Sequence, residues 1–194
     1  KRHKRPKSYM PPSEREPNGR ASRRVLSRES RRRETAAQTR ATVMEARQRV
    51  YGLPEQAAAE PEAGYCLGRL YLKGRLGKVA RKGAGIGVAE LRLEAGKRMA
   101  EAFHRYYLLA GIPFPSARAQ NLSAVRGQSH RDNPAAAREA ADRMMSIEGA
   151  LGSADQNGRP VNSVTKRVVL EGDESAVVFP HMERFLIRGL DALV

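Results

Sequence analysis

From Val88 to Leu109, the residues Val88, Leu91, Ala95, Met99, Ala102, Tyr106 and Leu109 recur at spacings of 3, 4, 4, 3, 4 and 3. Such a series falls on one face only if the backbone is α-helical, and its regularity is close to that of heptads. Glu90 and Glu94 near the start suit the helix dipole, and Glu94 and Arg98 form an i,i+4 pair. Gly111, followed by Pro113 and Pro115, ends the run. The spacing therefore predicts a long amphipathic helix over residues 88–110. Its stripe, with Leu91, Met99 and Tyr106 as anchors, is read as core or as an interface to an oligomer or partner. Base stacking by Tyr107 and His104 is the alternative use of its aromatic end.

The rest of the chain reads as helical too. Asn133 is a cap and Pro134 a first helical position for a helix to about Leu151, through Ala137, Ala141, Met144 and Glu148. Pro180 opens a last helix with Met182, Phe185, Leu186, Leu190 and Leu193 on one side; Phe185, Leu186 and Leu190 join the expected interface. Pro54 opens a short turn to Ala59, and Pro61 opens a helix to Lys73 with Cys66, Leu67, Leu70 and Tyr71 inward. Gly64 and Gly68 lie four apart, so a second helix can approach closely there. Residues 163–170, with Val164, Val168, Val169 and Leu170, fit a strand or a helical turn equally well. With no Trp and 5% aromatic residues, the core must come largely from Leu, Val, Met and Ala. The fold class expected is all-α: a small helical domain with a long amphipathic central helix and an extended basic N-terminal arm.

Charge divides the chain. Residues 1–50 hold sixteen Lys and Arg against five Asp and Glu, a surplus of eleven out of the net +15. Residues 151–194 are slightly acidic, with five cations against six anions. Residues 1–29, with four prolines and little apolar periodicity, are expected as a disordered or extended basic arm. Residues 30–60 are an arginine-rich helix and connector, and residues 61–194 a helical core domain. In the arginine-rich helix, Thr39, Val43, Ala46 and Val50 form a weak stripe, while Arg33, Arg40 and Arg47 lie seven apart in a ladder. That surface suits a nucleic-acid backbone, or a neighbouring subunit with the arginines in water.

Residues 74–87 interleave five glycines with Arg75, Lys78, Arg81 and Lys82. Such a loop can mould to phosphate, or it is simply an exposed linker; it carries neither the P-loop nor the dinucleotide spacing. The residues expected on nucleic acid are Arg23, Arg24, Arg28, Arg31, Arg32, Arg33, Arg40, Arg47, Arg75, Lys78, Arg81 and Lys82. No catalytic group, metal ligand or cofactor site is expected. His3, His104, His130 and His181 are scattered, and Glu171, Asp173 and Glu174 read as a solvated acidic turn. Cys66, the lone cysteine, fits a core position and a reducing compartment. A reducing compartment means a cytoplasmic location or its equivalent, and with no apolar run of membrane-spanning length no membrane span is expected.

The segment Ala63-Gly64-Tyr65-Cys66-Leu67-Gly68-Arg69-Leu70-Tyr71-Leu72-Lys73-Gly74, the long helix ending Tyr106-Tyr107 and the C-terminal Leu186-Ile187-Arg188-Gly189-Leu190-Asp191-Ala192-Leu193 resemble small proteins of bacterial phages and prophages. In class, the chain resembles the small subunit of the DNA-packaging terminase, which pairs a DNA-binding helical part with ring-forming helices. This implies a non-enzymatic DNA-binding protein with a role in genome packaging, acting in the host cytoplasm or within a virion. About fourteen residues separate Lys73 from Val88, against three or four in the helix-turn-helix of a small terminase, which argues against sequence readout in the major groove. Two alternatives are a scaffolding protein inserted in a virion or ribonucleoprotein, and a regulator of a host nucleic-acid enzyme.

Overall fold

A computed structural model describes residues 28–78, 86–114, 133–155 and 160–194. Seven α-helices follow in order among them: α1 (Arg28–Tyr51), α2 (Glu55–Ala59), α3 (Cys66–Leu72), α4 (Val88–Ala110), α5 (Pro134–Ala154), α6 (Val161–Lys166) and α7 (Pro180–Asp191). Short 3-10 turns at Pro61–Gly64 and Glu174–Val177, and a π-turn at Arg167–Glu171, join them. The described residues contain no strand. The chain is thus an all-helical small domain. Of the arm expected over residues 1–29, residues 1–27 lie outside the described residues and the last two belong to α1; the loop residues 79–85 and most of the link before Asn133 also lie outside them.

Local chemistry explains the helix boundaries. Asn133 caps α5 by accepting from the Ala136 amide at 3.0 Å, with Pro134 in the first turn. Gly111, at φ 68°, closes α4 in the left-handed conformation that other residues adopt at a cost. Pro180 pre-sets the first turn of α7.

Two clusters make the core. In the first, Cys66, Leu67 and Leu70 of α3 meet Ala89 and Leu93 of α4, Val164 and Val168, and Leu186 and Leu190 of α7. In the second, Met99 and Phe103 of α4 meet Leu151 of α5 and Leu170, with Tyr107, Phe114 and Leu193 at the margin. Helix α4 therefore runs through both, with α3 and α7 on its first half and α5 alongside. Each fully buried Leu contributes about 1.5–3 kcal/mol relative to exposure.

The inward face of α4 differs at its start from the expected stripe. Val88 and Leu91 are exposed, whereas Ala89, Leu93 and Gly96 are buried. Helices α3 and α7 approach through small residues: a Cβ on Gly96 would lie 2.2 Å from Leu67 Cδ2. With no Cβ at Gly96, the Leu67 side chain of α3 can reach the α4 backbone there. Residues 163–170, open between strand and helix in the sequence, are helical, within α6 and the π-turn that follows it. Val161, Val164, Thr165 and Val168 fall at helical spacing and all are buried. Packing against α7 overrides the preference of β-branched residues for strands.

A third, smaller cluster of Leu53, Ala58 and Ala63, with Tyr51 and Leu72 against it, fixes the foot of α1. Gly52, at φ 64°, turns the chain after α1. Arg47 then donates through Nη1 to Ala58 O at 2.9 Å and Glu60 O at 3.2 Å, clamping the returning segment to the helix. Above that clamp α1 leaves the domain: residues 32–43 are exposed without interruption.

Candidate nucleic-acid interface

The projecting part of α1 carries most of the cations of the described surface that the sequence marks for phosphate. Arg32, Arg33, Arg40 and Arg49 are exposed, and Arg47 is half-buried at the foot. Arg32, Arg40 and Arg49 engage no carboxylate among the described residues. A polar stretch of helix exposed among the described residues gains little from tertiary contacts, so its arginines keep their capacity to meet an anionic surface. Arg23, Arg24, Arg81 and Lys82 lie outside the described residues, as do the side chains of Arg28 and Arg31. Lys78 is exposed at the end of the turn after α3.

Not every basic residue faces outward. Arg75, expected on phosphate, is half-buried: its Nε donates to Glu183 Oε2 at 2.8 Å and its Nη2 to Val177 O at 2.6 Å. Arg92 grips Asp191 with two bonds of 2.6 and 2.8 Å and donates to Leu76 O at 2.7 Å. Both arginines tie the turn after α3 to the α7 region, an internal role. Arg47 is likewise engaged by backbone carbonyls. Charge alone marks Arg75 and Arg47 for phosphate; in the fold each already meets a carbonyl or carboxylate, which competes with any external phosphate.

The deepest cation among the described residues is Arg69 of α3, 1% exposed. Its Nε donates to Glu174 Oε1, its Nη1 reaches Ala63 O at 3.4 Å, and its guanidinium sits 4.0 Å from the centroid of the Tyr51 ring. Arg69 thus holds together the end of α1, the 3-10 turn after α2 and the acidic turn before α7. The acidic turn is not simply solvated: Glu174 is the counter-ion of Arg69, and Asp173 accepts from Arg167, from the Ser175 hydroxyl and from the Ser175 amide. Those hydrogen bonds, the Ser175 hydroxyl first, hold the Asp173 carboxyl below its ordinary value. Nothing in the local sequence marks Arg69, since its partner Glu174 lies 105 residues away.

The expected interface residues separate into two groups. Met99, Leu186 and Leu190 are fully buried within this chain and form its own core. Leu91 is 39% exposed, while Tyr106 and Phe185 are half-buried, Phe185 against the first core cluster. Cys66 is buried, and burial, followed by the nearby Glu174 charge, pushes its thiol up to about 12. A thiol so held is a core side chain, not a nucleophile at neutral pH. Tyr107 and His104 pack their rings on Phe114 at 5.6 Å, an intramolecular aromatic cluster. Among the described residues no three His, Cys, Asp or Glu side chains gather to hold a metal. No described helix is long and apolar enough to cross a membrane.

Set beside protein-family models, curated proteins and solved structures, the chain matches none. The residues themselves carry what can be said of its role.

Proposed function

We propose that the chain is a non-enzymatic nucleic-acid-binding protein, with DNA as the preferred partner, that grips phosphates through α1 and the basic segment before it. One observation carries this reading. Above its foot, helix α1 stands clear of the domain, with Arg32 and Arg40 exposed and engaged by no carboxylate among the described residues, and Arg49 is exposed on the foot itself. The basic arm of residues 1–27 leads directly into this helix, so the two act as one electrostatic surface. Lys78, at the edge of the glycine-rich loop, extends it on the domain side. A role in genome packaging of the kind filled by a terminase small subunit, in host cytoplasm or virion, is the finer form of the proposal.

Contact through phosphates makes binding strongly salt-dependent, with log K falling against log salt with slope about −0.9 per phosphate neutralised. Duplex DNA titrated with the full chain and with a chain lacking residues 1–50, from 50 to 200 mM salt, tests the reading. The full chain is expected to bind with a steep slope and the truncated chain weakly or not at all. Equal affinity for both would overturn it.

A second reading has one observation in its favour. Val178 and Phe179 are 64% and 61% exposed, and Phe179 stacks on His181 with centroids 5.7 Å apart, a patch suited to a protein neighbour. In that reading the domain is a scaffolding component and the arm threads into a larger assembly. Assembly that survives nuclease and high salt would favour it.

A further inference from the structure

We propose that α1 pairs in parallel with α1 of a second copy of this chain. The stripe Ala36, Thr39, Val43, Ala46 and Val50 advances by 3, 4, 3 and 4 residues. Ala36, Val43 and Val50 then occupy the a positions of three successive heptads, and Thr39 and Ala46 the d positions between them. Within one chain the stripe is largely uncovered: Ala36 and Thr39 are exposed, Val43 is 42% exposed and Val50 65%.

Several details make the stripe suitable as a seam. The Thr39 hydroxyl donates to Thr35 O at 2.9 Å, so a partner can cover its methyl group without leaving an orphaned hydroxyl. At the foot, Val43, Ala46 and Val50 line an open groove of about 320 Å³ together with Arg47, Tyr51, Ala63 and Gly64.

Charge selects the direction. In this heptad frame Arg33, Arg40 and Arg47 are all e positions, and Thr35 and Thr42 are g positions. Antiparallel pairing sets e against e and brings arginine to face arginine. Parallel pairing sets g against e of the next heptad, so Thr35 meets Arg40, while Arg47 stays on Ala58 O and Glu60 O of its own chain. The ladder of arginines, which packs against nothing sensible in an antiparallel pair, flanks the seam of a parallel one. Two copies then display two ladders from one two-fold axis. That consequence for DNA rests on the function proposed above, whereas the pairing itself does not.

The seam spans about 20 Å of helix, so the pair is expected to be weak and to form in the micromolar range. Two single-cysteine additions to the full chain, Ala36→Cys and Val43→Cys, test it under mild oxidation. Each is expected to give a disulfide-linked dimer, while the parent chain, whose Cys66 is buried, gives none. Homotypic cross-linking at both sites, one heptad apart, requires a parallel pair in register. A dimer at Val43→Cys but not at Ala36→Cys would overturn the parallel arrangement, and no dimer at either site would overturn the pairing. In sedimentation equilibrium the parent chain should shift towards twice its mass at about 100 µM, and Val43→Glu should remain monomeric with unchanged helix content. A chain that dimerises yet ignores DNA would refute the proposed function alone; a strictly monomeric chain that binds DNA would refute the pairing alone.

Discussion

Arg69 and Glu174 form an ion pair across 105 residues of sequence, with the arginine sealed in the domain and the carboxylate at its surface. The pair couples α3 to the turn before α7. Through the stacked Tyr51 ring it also reaches the foot of α1. Lys73 stands 3.8 Å from the second carboxylate oxygen, a looser contact that shares the same anion.

Removing the carboxylate leaves a buried guanidinium without its counter-ion. Glu174→Gln is expected to destabilise the domain by about 2–3 kcal/mol, below the ~3–5 typical of a fully sealed pair because Glu174 keeps 30% of its side chain in water. Tyr51→Leu should cost about 1 kcal/mol through the lost cation–π contact. Urea unfolding followed by circular dichroism measures both, and a loss at Glu174 under 0.5 kcal/mol, roughly the worth of a surface pair, would contradict the assigned role.

Helix α7 crosses α6 at Gly189, where an added Cβ would lie 2.1 Å from Thr165 Oγ1 and 3.2 Å from both Thr165 Cβ and Val161 Cγ1. Thr165 is buried and its hydroxyl already donates to Val161 O at 2.8 Å. Gly189→Ala is therefore expected to destabilise by about 1–3 kcal/mol, as overpacking does. The control is Gly149→Ala, which meets no atom within 4 Å on the exposed side of α5 and should be neutral or stabilising.

Asp173 has its folded pKa lowered by the Ser175 hydroxyl and by Arg167. A depressed carboxyl contributes stability that is present above its unfolded value, near 4, and is lost as pH falls through the folded value. Ser175→Ala should accordingly flatten the acid limb of the stability curve below pH 4 and leave the curve near pH 7 lower. Thermal unfolding between pH 2.5 and 7 reads this directly.

Cys66 behaves in the opposite direction. Its thiol is raised to about 12, so the folded chain keeps its proton where an unfolded chain loses it. Stability is unaffected below pH 9 and should fall as pH rises from 9 towards 12. Iodoacetamide at pH 8 is expected to label the native protein far more slowly than the urea-unfolded protein. Rapid native labelling would show that the α3 face is not closed.

Replacing Arg32, Arg40 and Arg49 together by alanine should lower the slope of log K against log salt by up to about 2.7, if each meets one phosphate. Arg75→Ala should instead reduce stability, by the loss of its bonds to Glu183 and Val177, with little change in that slope. The contrast separates outward cations from internal ones.

What the sequence determined by itself was local. Asn133-Pro134, Gly111, Gly52 and Pro180 punctuate the chain because caps, left-handed turns and first-turn prolines act within a few residues. The inward sides of α3 and α7 followed from helical spacing for the same reason. Which part of α4 would be buried did not, since α3 and α7 enter over Ala89 and Gly96 and leave Val88 and Leu91 outside. Nor did the helical state of residues 163–170, which packing on α7 decides. Above all, charge summed along the chain treats every arginine alike. Only the tertiary structure divides them, because an arginine's environment is set by the carboxylate or carbonyl the fold brings to it: Glu174 reaches Arg69 and Glu183 reaches Arg75, while Arg32 and Arg40 on the projecting helix meet none among the described residues.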